Sequence, residues 1–262
     1  MKLAVSNIAW GASQDELMYK KLVACGFTGL EIAPSRIFSE HPYNDLIAAA
    51  VWQKEFQEET SLAVPSMQSI WYGRTEKLFG SEAERTALLD YTRKAIDFAA
   101  AIHCRNLVFG CPKNRVLLHE EDYGHGVDFF RQIAEYAESR GTVIGLEANP
   151  TIYNTNYINT TSEALTLLQE VQRPGLRLNL DVGTMVTNEE SADLLVGKVQ
   201  MINHVHISEP YLKPIEKRQL HRGLAEVLEN EGYTGFVSVE MGKVENLAVL
   251  YDIMAYVREI FC

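Results

Sequence analysis

Residues 142–181 read TVIGLEANPTIYNTNYINTTSEALTLLQEVQRPGLRLNLD. The segment opens on a short run of β-branched and apolar residues (142–148), crosses a polar loop, continues with apolar residues at helical spacing over 161–171, and closes on a second short run (176–181). Thr160 and Glu163 form a capping box, in which the hydroxyl meets orphan amides of the first turn and the carboxylate reaches back. A strand, one capped helix and a second strand make a crossover unit, which implies parallel pairing of the two strands.

The same alternation extends in both directions. Strand patterns recur at 2–7 (KLAVSN), 28–33 (TGLEIA), 63–69 (AVPSMQS), 105–110 (RNLVFG), 202–207 (INHVHI) and 235–240 (GFVSVE), making eight in all. Helical patterns at 14–25, 43–60, 82–102, 123–140, 161–171, 188–197, 214–230 and 244–260 follow them in turn. Further capping boxes are expected at Ser13/Glu16 and Ser81/Glu84, and Gly26 and Gly141 stand where left-handed C-cap residues belong. Eight βα units in series without a Gly- or Pro-rich linker predict α/β architecture, a (β/α)8 TIM barrel forming one domain over 1–262. An open doubly wound sheet is the alternative, but the turn after the first strand, SNIAWGAS, has no GxGxxG, and no GxxxxGK[ST] occurs.

Composition narrows the function classes. With 24 Lys plus Arg against 35 Asp plus Glu, the formal net charge is −11. An acidic chain lacks the basic face that neutralises phosphates, so no nucleic-acid partner is expected. No membrane partner is expected either, because no apolar run is long enough to span a bilayer and the opening MKLAVSNIAWGAS is interrupted at Ser6 and Asn7. The expected location is cytoplasmic. The four cysteines show no CxxC spacing and are expected to be free thiols.

Chemistry concentrates at the ends of the last four strands. Glu147 follows strand five, Asp181 ends strand six, His206 lies on strand seven and Glu240 ends strand eight. Carboxyl ends of barrel strands face the loops that form the site. Asp plus Glu number 35 and His 7 among 262 residues, so chance poorly explains four consecutive hits. Side chains alternate along a strand, so Gly145, Asn179, His204 and Ser238 face the same way one layer below, and each is small or polar where a barrel layer is ordinarily branched and apolar. Three carboxylates at one mouth repel one another unless a cation compensates them. The expected cofactor is one divalent metal ion held by Glu147, Asp181, His206 and Glu240. The oxygen-rich donors point to Mn²⁺ first, with Mg²⁺, Co²⁺ or Zn²⁺ admissible. Such an ion polarises a carbonyl and its neighbouring hydroxyl while a carboxylate removes the proton between them, giving an enediolate. Glu147 and Glu240 are the candidate catalytic bases, placed to work from opposite sides of a small sugar or polyol substrate. Surface salt bridging is the competing account of these carboxylates, and for His204 a supporting or core imidazole is favoured over a ligand.

At these residues the chain resembles the xylose isomerase-like barrels, which include sugar isomerases, ketose 3-epimerases, inosose dehydratases and endonuclease IV. The resemblance spans nearly the whole chain and rests on GLEANP, LDVG, HVHISE and VSVEMG, together with the closing phrase EGYTGFVSVEM. In the 3-epimerase branch the glutamates equivalent to Glu147 and Glu240 bind the metal and exchange the proton, which implies those roles here. Departures concern the substrate clamp. Thr184 stands where free-ketohexose epimerases have His, Leu212 where they have Arg, and Tyr153 where they have Glu, so ketohexose specificity does not carry over. EPYLKPIEKRQLH (209–221) replaces the usual Gly-rich turn, placing Tyr211, Lys213 and His221 in that region.

Candidate substrate-binding residues are Trp10, Gln68, Asn149, His204 and Glu209. Asn7, Glu31, Arg36 and Lys113 also lie near strand ends, and Trp71 is a second tryptophan available for stacking on a sugar ring. The leading function is a metal-dependent sugar isomerase or epimerase. A dehydratase would use the same base and metal. An endonuclease IV-like phosphodiesterase needs further histidines where this chain has Gln68 and Gly110, and a non-catalytic sugar-binding barrel would bind without turnover. Barrels of this kind commonly pair through loops or outer helices, so a homo-oligomer is among the expected partners.

Overall fold

The computed structural model describes residues 1–262. Eight strands alternate with eight helices: β1 (Lys2–Ser6), α1 (Asp15–Ala24), β2 (Gly29–Glu31), α2 (Leu46–Thr60), β3 (Ser66–Met67), α3 (Glu82–Ala101), β4 (Asn106–Phe109), α4 (Tyr123–Arg140), β5 (Val143–Leu146), α5 (Thr161–Val171), β6 (Leu176–Asp181), α6 (Val182–Thr187), β7 (Ile202–Ile207), α7 (Gln219–Asn230), β8 (Phe236–Val239) and α8 (Leu247–Phe261). Every pairing is parallel, in the order β2-β1-β8-β7-β6-β5-β4-β3. Parallel bridges Gly29–Ala63 and Ile32–Met67 bring β2 to β3 and close the ring. The fold is therefore the (β/α)8 barrel that the alternation predicts.

The helices lay their apolar faces on the outside of this ring. One continuous cluster of buried side chains, including Leu22, Phe56, Phe98, Phe130, Leu168, Leu228 and Val257, joins helices to strands. The barrel interior differs. Under the carboxyl ends, Asn106 Nδ2 donates to Ser66 Oγ (2.9 Å) and Asn179 Oδ1 (3.2 Å), and His204 Nε2 meets Ser238 Oγ (2.8 Å). Gly145 leaves room for this layer, since a Cβ there would lie 2.4 Å from Asn106 Oδ1. Hydrogen bonding is obligatory for such buried polar groups, and here it ties strand to strand beneath the site.

Several local expectations hold. The boxes Ser81/Glu84 and Thr160/Glu163 form, Gly26 and Gly141 adopt φ of +80° and +71°, and all four cysteines are free. No helix is long and apolar enough to cross a membrane. Others do not. The Ser13/Glu16 box is absent because a 3-10 turn, Ala12–Gln14, precedes α1 and Gln14 becomes its N-cap. The helix expected over 188–197 is displaced: α6 starts directly after Asp181, whose carboxylate accepts from the Thr184 N–H (2.7 Å), and only the short turn Ala192–Leu195 remains downstream. Of the strand expected over 63–69 only Ser66–Met67 forms, because Pro65 lacks an amide hydrogen and Ser69 turns the chain at φ +56°. Helix α7 begins at Gln219 rather than 214, after an irregular segment held by a Glu209–Arg218 ion pair.

Candidate active site

The carboxyl ends of β5 to β8 bring the four residues singled out above together: Asp181 and His206 are register partners, while Glu147 and Glu240 stand just past the ends of β5 and β8. Asp181 pairs with His206, His206 with Ser238, and the Glu240 amide donates to the Ile207 carbonyl (2.9 Å). Potential ligand atoms of Glu147, Asp181, His206 and Glu240 all lie within 4.8 Å of one another. His206 Nδ1 is 3.2 Å from Glu147 Oε2 and 3.1 Å from Glu240 Oε2.

Each side chain is fixed from behind. Glu147 accepts from Asn149 Nδ2 (3.0 Å) and Asn179 Nδ2 (2.9 Å). Asp181 accepts from the Thr184 amide and hydroxyl (2.7 and 2.8 Å), and also from the Ser208 hydroxyl. His206 is held by Glu31, fully buried at the end of β2, through Nε2–Oε2 at 2.8 Å. An ionised carboxylate only accepts, so His206 Nε2 carries a hydrogen and Nδ1 is the nitrogen presented to the three site carboxylates. Glu31 also accepts from Gln68 Nε2 (3.2 Å) and lies 3.2 Å from His204 Nε2.

Electrostatics shows a site short of positive charge. Burial, with Glu147 nearby, pushes the Asp181 carboxyl up to about 6, and burial pushes Glu240 up to about 7 against the pull of His206. Burial opposes charge on His206, but Glu240 and Glu31 outweigh it and hold the imidazole protonated well above its ordinary range. Glu31 is likewise held well below the usual carboxylate range, where His206 and His204 outweigh its burial. Three carboxylates and one imidazole nitrogen that converge, each braced on its far side, fit a hard divalent cation. Raised carboxyl pKa values in the folded state stabilise it fully below the unfolded values near 4, and that contribution is lost as pH rises through about 6 to 7. The metal-free protein is therefore expected to lose stability over that window. Metal affinity should rise across it, because binding displaces protons; parallel melting curves and metal titrations at stepped pH check both.

The other candidates separate. Gln68 and Asn149 line the cavities that open over Glu147, Asp181 and Glu240. His204 sits beneath, between Glu31 and Ser238, as a supporting imidazole. Glu209 borders the smaller cavity, but both its oxygens are taken by Arg218 at 2.6 Å, so it anchors the 209–218 loop. Trp10 is 1% exposed, gives its indole hydrogen to Asp15 Oδ1 (2.7 Å) and lines neither cavity. Arg36 bonds Asp15 and the Trp10 carbonyl, and His221 is buried against the Tyr256 hydroxyl. Thr184, where a histidine clamp was the family expectation, instead supports Asp181, while Tyr153 and Leu212 wall the smaller cavity.

Three contributors escaped sequence reading. Ser208 carried a signal, since it shares the facing of His206 two residues on. Glu31 was visible as a strand-end carboxylate, but nothing in the sequence links it to His206. Arg115 carried no signal: fully buried in a loop, its Nη2 donates to the Glu147 carbonyl (2.8 Å) and Asn149 Oδ1 (2.7 Å), bracing the turn after β5.

A closed parallel barrel with a braced tricarboxylate-imidazole cluster at its carboxyl end defines a class of barrel built around one candidate cation site. Within that class, the sequence profile of the xylose isomerase-like TIM barrel matches residues 19–259, and the chain belongs to that family. An L-ribulose 3-epimerase of Methylomonas sp. (strain DH-1) is 30% identical over 122 residues, a match spanning 46% of this chain and only 41% of that relative. Among solved structures, a 3-keto-D-glucoside 4-epimerase from E. coli superposes with a TM-score of 0.79 at 22% identity, covering 99% of both chains. A D-psicose 3-epimerase from Clostridium cellulolyticum H10, solved with D-tagatose, has a TM-score of 0.78 at 18% identity, covering 100% of this chain and 99% of its own.

Proposed function

We propose that the protein is a divalent-metal-dependent sugar epimerase or isomerase that moves a proton at a carbon adjoining a carbonyl. The observation that carries this reading is that Glu147 and Glu240 border the same cavity from strands separated by those that supply Asp181 and His206. The three relatives above are all named as epimerases, which supports the class of reaction.

Glu147, Asp181, His206 and Glu240 would hold the ion, Mn²⁺ first given the oxygen-rich donors, and the ion supplies Lewis-acid polarisation of a carbonyl and its adjoining hydroxyl. Glu147, oriented by two amide donors, takes the proton from one face of the substrate carbon. Glu240, bonded only to His206, borders the cavity from the opposite side and would deliver a proton to the other face. Asn179 and Glu31 keep the His206 ring from rotating while this occurs.

The test is metal content by elemental analysis, together with deuterium uptake by candidate sugars in heavy water. Wild type supplied with Mn²⁺ should hold one ion per chain and label a single substrate carbon. Asp181→Asn removes one ligand charge and should reduce affinity by at least about tenfold. A wild-type chain that takes up no Mn²⁺, Co²⁺, Mg²⁺ or Zn²⁺ would sink the proposal, as would turnover of a sugar without label.

A further inference from the structure

Resting on that reading, we infer that the substrate is larger than a monosaccharide: a sugar bearing a second, neutral, ring-sized unit, which lies in the cleft between the loops after β3 and β4. Three adjoining cavities, each sharing lining residues with the next, make up this cleft. The one bordered by Asp181, Ser208 and Tyr153 is about 170 Å³, of monosaccharide size. It shares Pro112, Glu147 and Glu240 with a larger lobe of about 330 Å³ that extends over Trp71, Tyr72 and Lys113. That lobe shares Ser69 and Tyr72 with a third, about 240 Å³, reaching Tyr43 and Tyr91. A free monosaccharide seated in the cavity bordered by Asp181 and Ser208 leaves most of the middle lobe to water.

The middle lobe has the character of a sugar subsite. Trp71 lies beneath it as buried support, 3% exposed, pinned by an indole hydrogen bond to Thr92 Oγ1 (2.8 Å) and edge contacts with Phe109 and Phe129. Tyr72 stands at its rim, 75% exposed, with no protein group bonded to its hydroxyl. The exposed Tyr72 ring can accept the C–H face of a pyranose, while Gln68, Ser69 and Lys113 offer polar atoms at its edges. The walls are preformed. Asn114 Nδ2 donates to the Arg74 and Glu76 carbonyls (3.2 and 2.8 Å), and Lys77 Nζ donates to the Lys113 carbonyl (2.7 Å), locking one loop to the other. Charge settles the chemistry of the second unit. Lys113 is the one basic side chain lining the middle lobe, beside Glu147 and Glu240, and Arg74, which lines the third lobe, has its guanidinium paired with Glu76 instead of offering a free planar fork for phosphate. A phosphate there would face carboxylates with a single exposed ammonium for compensation.

The experiment compares matched probes with the Mn²⁺-loaded protein: ketohexoses free, as 6-O-glucosyl derivatives and as 6-phosphates, and 3-keto-hexoses free and as glucosides, so that the reacting carbonyl stays open. Deuterium uptake from heavy water is followed by NMR. Within at least one pair, kcat/KM for the extended sugar should exceed that for the free sugar by about tenfold or more, the discrimination such an apolar contact supplies. Tyr72→Ala should collapse that ratio while circular dichroism stays unchanged. Free sugars exchanging as well as their extended partners, a preference for 6-phosphorylated ketohexoses, or a ratio untouched by Tyr72→Ala would each overturn the inference while leaving the epimerase reading standing. Absence of label in every probe would overturn both.

Discussion

Glu240→Gln is expected to lower the turnover of a labelled sugar by roughly 10²- to 10⁴-fold, the range for loss of a positioned acid–base group. The amide keeps the shape of the side chain and one oxygen for the ion, but at working pH it neither accepts nor returns a proton. Glu240 has no hydrogen-bond donor other than His206 holding it, unlike Glu147, which two asparagines orient. Its replacement therefore removes chemistry with little disturbance of its neighbours. The measurement is deuterium uptake at saturating Mn²⁺, with bound metal counted in the same sample, so that lost binding is told apart from lost proton transfer. A variant that keeps full occupancy and more than a tenth of the wild-type rate would remove Glu240 from the proton path.

The second large effect is at Glu31, outside the ligand set. Glu31→Ala is expected to weaken metal binding by roughly 10- to 100-fold, the usual cost of deleting the carboxylate behind a ligating histidine. It should also reduce the unfolding free energy of the metal-free protein by about 3–5 kcal/mol, as happens when one partner of a buried charged pair is removed. The metal effect follows from the 2.8 Å bond between Glu31 Oε2 and His206 Nε2, made by side chains with no solvent exposure, and the stability cost adds the buried contacts of Glu31 with His204 and Gln68. Without that acceptor the ring is free to change tautomer and carry its hydrogen on Nδ1, the atom aimed at the site. Glu31→Gln retains an acceptor oxygen without the charge and should restore most of the metal affinity but less of the stability. Equal metal affinity in wild type and Glu31→Ala, measured by competition with a chelator, would show that His206 is positioned by other means.

Much of this site was legible because barrel geometry converts position along a strand into position in space. Given eight parallel strands, strand ends converge, and parity selects which side chains face the mouth. Glu147, Asp181, His206 and Glu240 follow from those two facts, as does the polar layer of Asn179, His204 and Ser238. Trp10 and Glu209 find partners outside the carboxylate cluster for a common reason. Proximity to a strand end does not distinguish a side chain that faces the cavity from one that finds a partner beside it, Asp15 for Trp10 and Arg218 for Glu209. The misplaced sixth helix has a related cause, since a carboxylate at the end of β6 both faces the site and caps the turn that follows.

The sequence by itself determined the alternation of strands and helices, the parallel closed sheet that it forces, and the types of donor at the site, because all three depend on periodicity and residue chemistry within a few neighbours. Only the tertiary structure decided what braces those donors and how far the cleft extends. Glu31 and His206 are 175 residues apart and meet solely because closing the barrel sets β2 across from β7. The lobe over Trp71 and Tyr72 exists because the loops after β3 and β4 bond to each other. Contacts of this kind arise from long-range packing, which carries no periodic trace in the chain.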